Sequence, residues 1–110
     1  MKWIGDIVKI LFVCTGNADR SPTAEEMFIN IEGVEAKSAG TSLLAATRLS
    51  KELIEWADRV FAMENRHQKA VLKLDPGAYE KIEVLDIPDR YYLNQPELKQ
   101  LFRKKLERFF

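Results

Sequence analysis

Hydrophobic and polar residues along this chain form a pattern that predicts four strands alternating with four helices. The first apolar run is almost unbroken and rich in β-branched and aromatic residues, which is typical of a strand covered on both faces in a parallel sheet. Three further short apolar runs follow, each separated from the last by a stretch of helical periodicity. The strands are predicted at residues 7–13, 34–40, 59–63 and 81–87.

Apolar residues at helical spacing, together with helix-breaking residues, predict where the four helices begin and end. A serine directly before a proline is a common helix start, and a glycine is a common helix end. The last helix carries basic side chains opposite its apolar stripe, which we interpret as a solvated face. The expected boundaries are Ser21 as the cap and Pro22 as the first residue of the first helix, Gly33 at its end, Ser50 before the second helix, residues 65–74 for the third and Pro96 at the start of the fourth.

This order of elements predicts an α/β fold with three layers, in which a four-stranded parallel sheet has helices on both faces and right-handed crossovers. Residues 34–40 alternate in polarity and are expected near the edge of the sheet. Ligands of such sheets bind beyond the carboxyl ends of the strands. Cys14 follows directly after the first strand, so it is expected at that edge.

Composition and charge narrow the class of protein. The chain has 110 residues, 46% of them hydrophobic and 31% charged, which fits a single domain over residues 1–110. Because 17 Lys and Arg balance 17 Asp and Glu, nucleic acid is not an expected partner. The apolar stretch 3–13 contains two charged residues and is too short to span a bilayer, so neither a targeting segment nor a membrane contact is expected.

The candidate chemistry lies in residues 14–21, where a cysteine and an arginine stand six positions apart between a strand and a helix start. A loop wrapped around an anion can point successive backbone N–H groups inward, and Arg20 supplies a planar fork for two phosphate oxygens. In such a positive cradle Cys14 is expected to be a thiolate that attacks phosphorus. The other residues expected to hold the substrate here are Thr15, Gly16, Asn17, Ala18, Asp19 and Ser21, the last as a donor to the sulfur.

Cys14 also admits a simpler interpretation. A lone cysteine after an apolar strand is commonly a small buried hydrophobe. As the only cysteine it excludes an internal disulfide and a multi-thiolate zinc site, and it fits a cytoplasmic location. His67, the only histidine, is interpreted as structural.

The chain resembles the low-molecular-weight protein tyrosine phosphatase family. The resemblance rests on residues 13–17 (VCTGN) and 20–25 (RSPTAE), with weaker support from residues 38–41 and 57–64. It implies a doubly covered parallel sheet, a phosphocysteine intermediate, and neither a metal nor any other cofactor. The substrate it implies is a phosphorylated protein or an aryl phosphate.

The resemblance also implies an aspartate that protonates the leaving oxygen, within an Asp-Pro-Tyr-type segment after the last strand. Asp89 aligns best, because Tyr91 and Tyr92 follow it as the family's aromatic residues do. Tyr91 is then expected to line the pocket as an apolar wall. Arg90 stands where the family has proline, and Asp86 is the alternative proton donor.

Two departures from the family pattern change the expected site. Asp19 stands where the family commonly has a second cysteine, and a carboxylate there is expected to disfavour the thiolate and repel a phosphate dianion unless it points outward. Between Thr41 and Ser50 the chain also lacks a stretch that normally forms a wall of the substrate cleft, so a more open site is expected. Ser38 is expected to brace Asn17, as a serine at this strand end does in the family.

The sequence therefore predicts a cytoplasmic, monomeric phosphomonoesterase of the protein-tyrosine-phosphatase type. Thr15 resembles the protein-arginine-phosphatase branch, so phosphoarginine is an alternative substrate. A phosphate- or phosphoprotein-binding module with weak turnover is a further alternative, motivated by Asp19 and the imperfect Asp89-Arg90 pair. Arsenate reduction within one chain would need additional cysteines.

Overall fold

The computed structural model describes residues 7–109, so the predicted apolar stretch 3–13 and the expected domain 1–110 lie partly outside the described residues. Within that range a four-stranded sheet is flanked by helices. The strands are β1 (Val8–Cys14), β2 (Val34–Gly40), β3 (Arg59–Ala62) and β4 (Ile82–Val84), and the helices are α1 (Arg20–Phe28), α2 (Lys51–Trp56), α3 (Asn65–Leu74) and α4 (Pro96–Leu106), with 3₁₀ turns at Pro76–Lys81 and Glu107–Phe109.

The sheet has the order β2-β1-β3-β4, and all its strand pairs are parallel. This confirms the predicted α/β fold and places β2 at an edge. In the register of the sheet, Cys14 lies beside Gly40, and Val13 lies beside Ala62. The carboxyl ends of β1, β2 and β3 therefore meet at one edge.

Alternation along β1 divides the core into two layers. Ile10, Phe12 and Cys14 face the layer that α1 and α4 cover, whereas Leu11 and Val13 face α2 and α3. The centre of the first layer is aromatic: the ring of Phe12 lies 5.6 to 6.4 Å from three other rings. Burial of continuous apolar runs on both faces fixes the strands in the centre of the molecule. These three rings belong to Phe28, Phe61 and Phe102.

The predicted ends of the first helix are wrong. Helix α1 begins at Arg20, with Asp19 at the N-cap position, so Ser21 lies inside the first turn and does not cap the helix. Its hydroxyl is 2.9 Å from the sulfur of Cys14, a tertiary contact that overrides the local capping preference. The helix ends at Phe28, and Gly33 with a φ of 82° belongs to the turn that leads into β2.

Strand β4 is shorter than predicted. It spans three residues, and the chain leaves the sheet where Asp86 takes a φ of 56°. The backbone N–H groups of Leu85 and Ile87 nevertheless donate to the carbonyls of Ala62 and Met63, at 2.9 and 2.8 Å. Both side chains stay buried, which explains why the apolar pattern continues past the strand.

Helix α2 is held at both ends. The hydroxyl of Ser50 accepts from the N–H of Leu53, as the sequence predicts. At the other end, Nζ of Lys81 donates to the carbonyls of Ile54 and Ala57 at 2.6 and 2.8 Å, which places a positive charge at the negative end of the helix dipole. No helix within residues 7–109 is both long and apolar enough to cross a membrane.

Candidate active site

The loop between β1 and α1 surrounds a cavity of about 250 Å³ at the carboxyl edge of the sheet. Most of the residues predicted from the sequence to act on the substrate border this cavity. Asn17 and Ser21 lie buried behind it, and Tyr91 lies elsewhere. The lining residues are Cys14, Thr15, Gly16, Ala18, Asp19, Arg20 and Asp89.

Cys14 lies at the floor of the cavity with 2% of its surface exposed. Its Sγ is 2.9 Å from the hydroxyl of Ser21, which also receives a hydrogen bond from the amide nitrogen of Asn17 at 2.9 Å. Because that amide can only donate, the hydroxyl accepts from it and keeps its own hydrogen for another partner. The sulfur is nearer than the carbonyl of Ala39 at 3.4 Å, so Ser21 is placed to stabilise a thiolate.

Asn17 fixes the shape of the loop. It has a φ of 53°, a left-handed conformation that asparagine tolerates better than most residues. Its amide nitrogen also donates to the hydroxyl of Ser38 at 2.9 Å, and its Oδ1 accepts from the N–H of Thr47 at 3.1 Å. The hydroxyl of Ser38 in turn donates to the carboxylate of Glu25. Ser38 thus makes the contact with Asn17 that the sequence leads us to expect.

The segment after β2 supports the loop from outside. The N–H groups of Thr41 and Ser42 donate to the carbonyls of Cys14 and Thr15, both at 2.9 Å. At the end of β2, a Cβ added to Gly40 would lie 2.7 Å from the Cβ of Ala45, closer than real Cβ contacts. Only glycine at position 40 therefore allows the end of β2 to pack against the segment that contains Ala45.

The carbonyls of the loop face the supporting segment, so the backbone N–H groups of the loop remain available to a ligand. A further carbonyl, that of Gly16, accepts from the N–H of Ala46 at 3.3 Å. Among residues 7–109, the backbone N–H groups of residues 16–19 have no backbone acceptor. These amides precede the N-terminus of α1, whose dipole adds positive potential at the same place. The loop therefore has the features of an anion-binding nest.

The guanidinium of Arg20 is held by hydrogen bonds at Nη1, while its Nε–Nη2 edge remains available to a ligand. The guanidinium is 2% exposed, and its Nη1 donates to the carboxylate of Glu64 at 2.6 Å and to the carbonyl of Ile87 at 2.7 Å. The other edge borders the cavity, with Nη2 at 3.4 Å from the hydroxyl of Thr15 and Nε at 3.7 Å from Oδ1 of Asp89. The hydrogen bond from Arg20 holds the pKa of Glu64 below its usual value, against the opposing effect of partial burial.

Asp89, rather than Asp86, borders the cavity that contains the sulfur. Its carboxylate is 57% exposed and lies within 3.9 Å of both Arg20 and Arg66. Asp86 is exposed and lines a neighbouring cavity with Pro88. Of the two candidates for the proton donor, only Asp89 borders the same cavity as Cys14.

Tyr91 does not line the cavity, contrary to the expectation from the sequence. Its ring is half-buried against the core layer of α1 and α4, and the guanidinium of Arg90 lies 5.6 Å from the ring centre. The turn that carries the ring is fixed by Asp19, whose Oδ1 accepts from the N–H of Leu93 at 3.0 Å. Packing on the core buries more apolar surface than an open cleft offers.

Two residues of the site went unrecognised in the sequence. Glu64 holds Arg20, and His67, fully buried, has its Nε2 2.8 Å from the hydroxyl of Thr15. Burial, with the charges of Arg20 and Arg66, lowers the pKa of His67 to about 4. Their place in the sequence could have indicated this, because both residues follow β3 and therefore lie at the edge of the sheet where Cys14 lies. Within residues 7–109, no group of three or more His, Cys, Asp or Glu side chains is placed to hold a metal ion.

Comparisons with known proteins agree with this geometry. The sequence profile of the low molecular weight phosphotyrosine protein phosphatases matches residues 9–46, from β1 to the segment after β2. The protein-arginine-phosphatase of Geobacillus stearothermophilus is 37% identical, over 66% of this chain and 66% of that protein. The low molecular weight protein-tyrosine-phosphatase Etp of Escherichia coli (strain K12) is 28% identical, over 84% of each chain.

The fold is shared as well. The solved structure of the YwlE arginine phosphatase from Geobacillus stearothermophilus matches with a TM-score of 0.75 and 29% identity, covering 93% of this chain and 92% of that one. The aligned part of this chain thus spans about two thirds of the first curated relative in sequence and nearly all of this structure.

Proposed function

Since this chain belongs to the low-molecular-weight phosphotyrosine protein phosphatase family, as the sequence predicts, we propose that it is a cysteine-dependent phosphatase acting through a phosphocysteine intermediate. One observation carries the proposal: the sulfur of Cys14, the free edge of Arg20 and the carboxylate of Asp89 border a single cavity. Nucleophile, oxyanion stabiliser and proton donor are the groups that phosphomonoester hydrolysis requires.

The phosphate group binds in the loop. The N–H groups of residues 16–19 and the Nε–Nη2 edge of Arg20 donate to its non-bridging oxygens. Glu64 and the carbonyl of Ile87 hold the guanidinium before the substrate arrives, so little reorganisation is needed in the transition state. In the complex that we propose, phosphorus lies above the sulfur of Cys14.

In the first step the Cys14 thiolate attacks phosphorus. A sulfur–phosphorus bond forms while the bond from phosphorus to the leaving oxygen breaks, and the leaving oxygen takes a proton from Asp89 in its acid form. In the second step water attacks phosphorus and gives its proton to Asp89. The sulfur–phosphorus bond breaks, inorganic phosphate leaves, and the hydroxyl of Ser21 stabilises the returning thiolate.

Phosphotyrosine in proteins is the substrate we propose first, on the family assignment. Phosphoarginine is the second candidate, favoured by Thr15 directly after the nucleophile and by the 37% identity to a protein-arginine-phosphatase. With that substrate a phosphorus–nitrogen bond breaks, and the leaving nitrogen takes the proton. We further propose a cytoplasmic, single-domain monomer that contacts neither nucleic acid nor membrane, supported by the balanced charge and the lone cysteine.

Hydrolysis of p-nitrophenyl phosphate by the wild type and by Cys14→Ser tests the proposal. We expect turnover by the wild type, no turnover by the variant, and binding of inorganic phosphate by both. Phosphate binding without turnover by the wild type would instead identify a binding module. Comparing phosphotyrosine and phosphoarginine peptides by kcat/KM then separates the two substrate classes.

A further inference from the structure

His67 has both ring nitrogens engaged in the interior of the protein. The residue lies in the first turn of α3 and is fully buried. Its Nδ1 lies 3.0 Å from the backbone nitrogen of Glu64, and its Nε2 lies 2.8 Å from the hydroxyl oxygen of Thr15. The ring therefore links the start of α3 to a residue that borders the cavity.

The partners of His67 determine its tautomer. A backbone N–H can only donate, so Nδ1 accepts from Glu64 and carries no hydrogen. In the neutral ring the hydrogen is then on Nε2, which donates to the hydroxyl oxygen of Thr15. A pKa of about 4 agrees with a neutral ring at physiological pH.

The hydroxyl of Thr15 consequently has a defined role as a donor. Its oxygen accepts from Nε2 of His67 and, at 3.4 Å, from Nη2 of Arg20. Among residues 7–109, no acceptor for the hydroxyl hydrogen is in place. Because Thr15 borders the cavity, that hydrogen is available to a group bound there.

We infer that His67 is a positioning residue that holds the Thr15 hydroxyl as a donor to an oxygen of the bound phosphoryl group. The inference rests on the proposed function. Glu64 coordinates the arrangement, since its carboxylate holds Arg20 while its N–H fixes the ring of His67. The N-cap residue of α3 thus sets both side-chain donors to the phosphoryl group.

Two substitutions at position 67 separate this role from a merely structural one. In His67→Asn, the side-chain oxygen can replace Nδ1 as acceptor for Glu64, but the side chain is too short to reach Thr15. In His67→Gln, the amide nitrogen can replace Nε2 as donor to Thr15. If His67 positions Thr15, the Gln variant should keep a higher kcat/KM and phosphate affinity than the Asn variant. If His67 only holds the start of α3, the Asn variant should keep the higher values.

The experiment measures kcat/KM for p-nitrophenyl phosphate, the dissociation constant of inorganic phosphate by isothermal titration calorimetry, and a thermal melt of each variant. We expect His67→Asn to lower kcat/KM and weaken phosphate roughly tenfold, the typical effect of one lost hydrogen bond to a charged group. Phosphate affinity of His67→Gln is expected to stay within about threefold of the wild type, on the same scale.

A double substitution completes the test. Thr15→Val is expected to cause about the same tenfold loss, and adding His67→Asn to it no further loss, because His67 acts through Thr15. Additive losses, or an equal loss in the Gln and Asn variants, would overturn the inference. If His67→Asn fails to fold, His67→Gln serves in its place. A large loss of phosphate affinity in His67→Gln, and a further loss when it is added to Thr15→Val, would then overturn the inference. Absence of turnover in the wild type would refute the proposed function alone, since phosphate affinity can still be measured.

Discussion

The carboxylate of Glu64 lies 2.6 Å from Nη1 of Arg20, a guanidinium that is almost completely buried. A buried charge without a partner is costly, and a guanidinium that can turn does not present a fixed edge to phosphate. We therefore expect Glu64 to support both stability and phosphate binding, although its carboxylate does not border the cavity around the sulfur.

Glu64→Ala is expected to lower the free energy of unfolding by about 1–3 kcal/mol, because it removes a hydrogen bond to a charged group. It should also reduce kcat/KM for an aryl phosphate at least tenfold, because Arg20 loses one of its two anchors. Urea unfolding and steady-state kinetics measure the two effects. Glu64→Gln, which keeps an acceptor for Nη1, is the control, and an equal loss in both variants would count against anchoring by this hydrogen bond.

Asp89→Asn is expected to reduce kcat by about two orders of magnitude, the usual contribution of a general acid. The loss should shrink for substrates whose leaving group is a stable anion, because these need less protonation. Asp86→Asn is the matched control, since Asp86 is exposed and lines the neighbouring cavity. If Asp86→Asn lost activity instead, the two aspartates would have to exchange roles.

Asp19→Ala is expected to speed hydrolysis by removing a negative charge beside the phosphate site. The same change frees the N–H of Leu93, so Asp19→Asn is the cleaner variant, since its amide oxygen still accepts this bond. In well-solvated surroundings, we expect a gain of about 1 kcal/mol in phosphate binding, or roughly fivefold. Unchanged phosphate inhibition in the Asn variant would show that solvent screens the carboxylate.

Gly40→Ala is expected to destabilise the fold by about 1–3 kcal/mol, the range for overpacking, and to weaken phosphate binding. The new methyl group would lie 2.9 Å from the backbone nitrogen of Asn17, inside the loop that forms the cavity. Gly77→Ala is the control, because there the nearest atom would be 3.5 Å away. Thermal melts and phosphate inhibition distinguish the two, and equal behaviour of both variants would contradict the packing explanation.

Stability is expected to fall as the pH drops from about 6.5 to 4, because of His67. Its pKa is lowered to about 4 in the folded protein by burial and by Arg20 and Arg66, against the smaller opposing effects of Glu64 and Asp89. The unfolded chain then binds the proton first, so the contribution is complete above pH 6.5 and is lost toward pH 4, at most about 3 kcal/mol. Urea unfolding of the wild type and of His67→Asn between pH 4 and 7.5 should isolate this slope.

The sheet, and the place of the loop that borders the cavity, could be predicted from the sequence because both depend on local signals. Continuous apolar runs define central strands, and the spacing of Cys14 and Arg20 across a strand–helix junction identifies the loop. The bounds of β2 and α3 agree with the prediction for the same reason.

The features that the sequence did not predict depend on tertiary contacts. Helix α1 begins one residue before Ser21, which contacts Cys14 instead of capping the helix, and Tyr91 packs on the core instead of lining the cavity. Glu64 and His67 acquire their roles only because β3 lies beside β1, a neighbourhood that the periodicity of neither strand reveals. Assigning residues at the carboxyl edge of every adjacent strand to the site would have found both.

The segment that supports the phosphate loop has a hydrogen-bonded part and an exposed tip. Thr41, Ser42 and Ala46 are tied to the carbonyls of the loop, whereas Leu43 and Leu44 at its tip are 74% and 93% exposed. Leu43 and Leu44 can therefore be exchanged, or the tip lengthened, without removing any of the backbone hydrogen bonds that hold residues 14–16 in place.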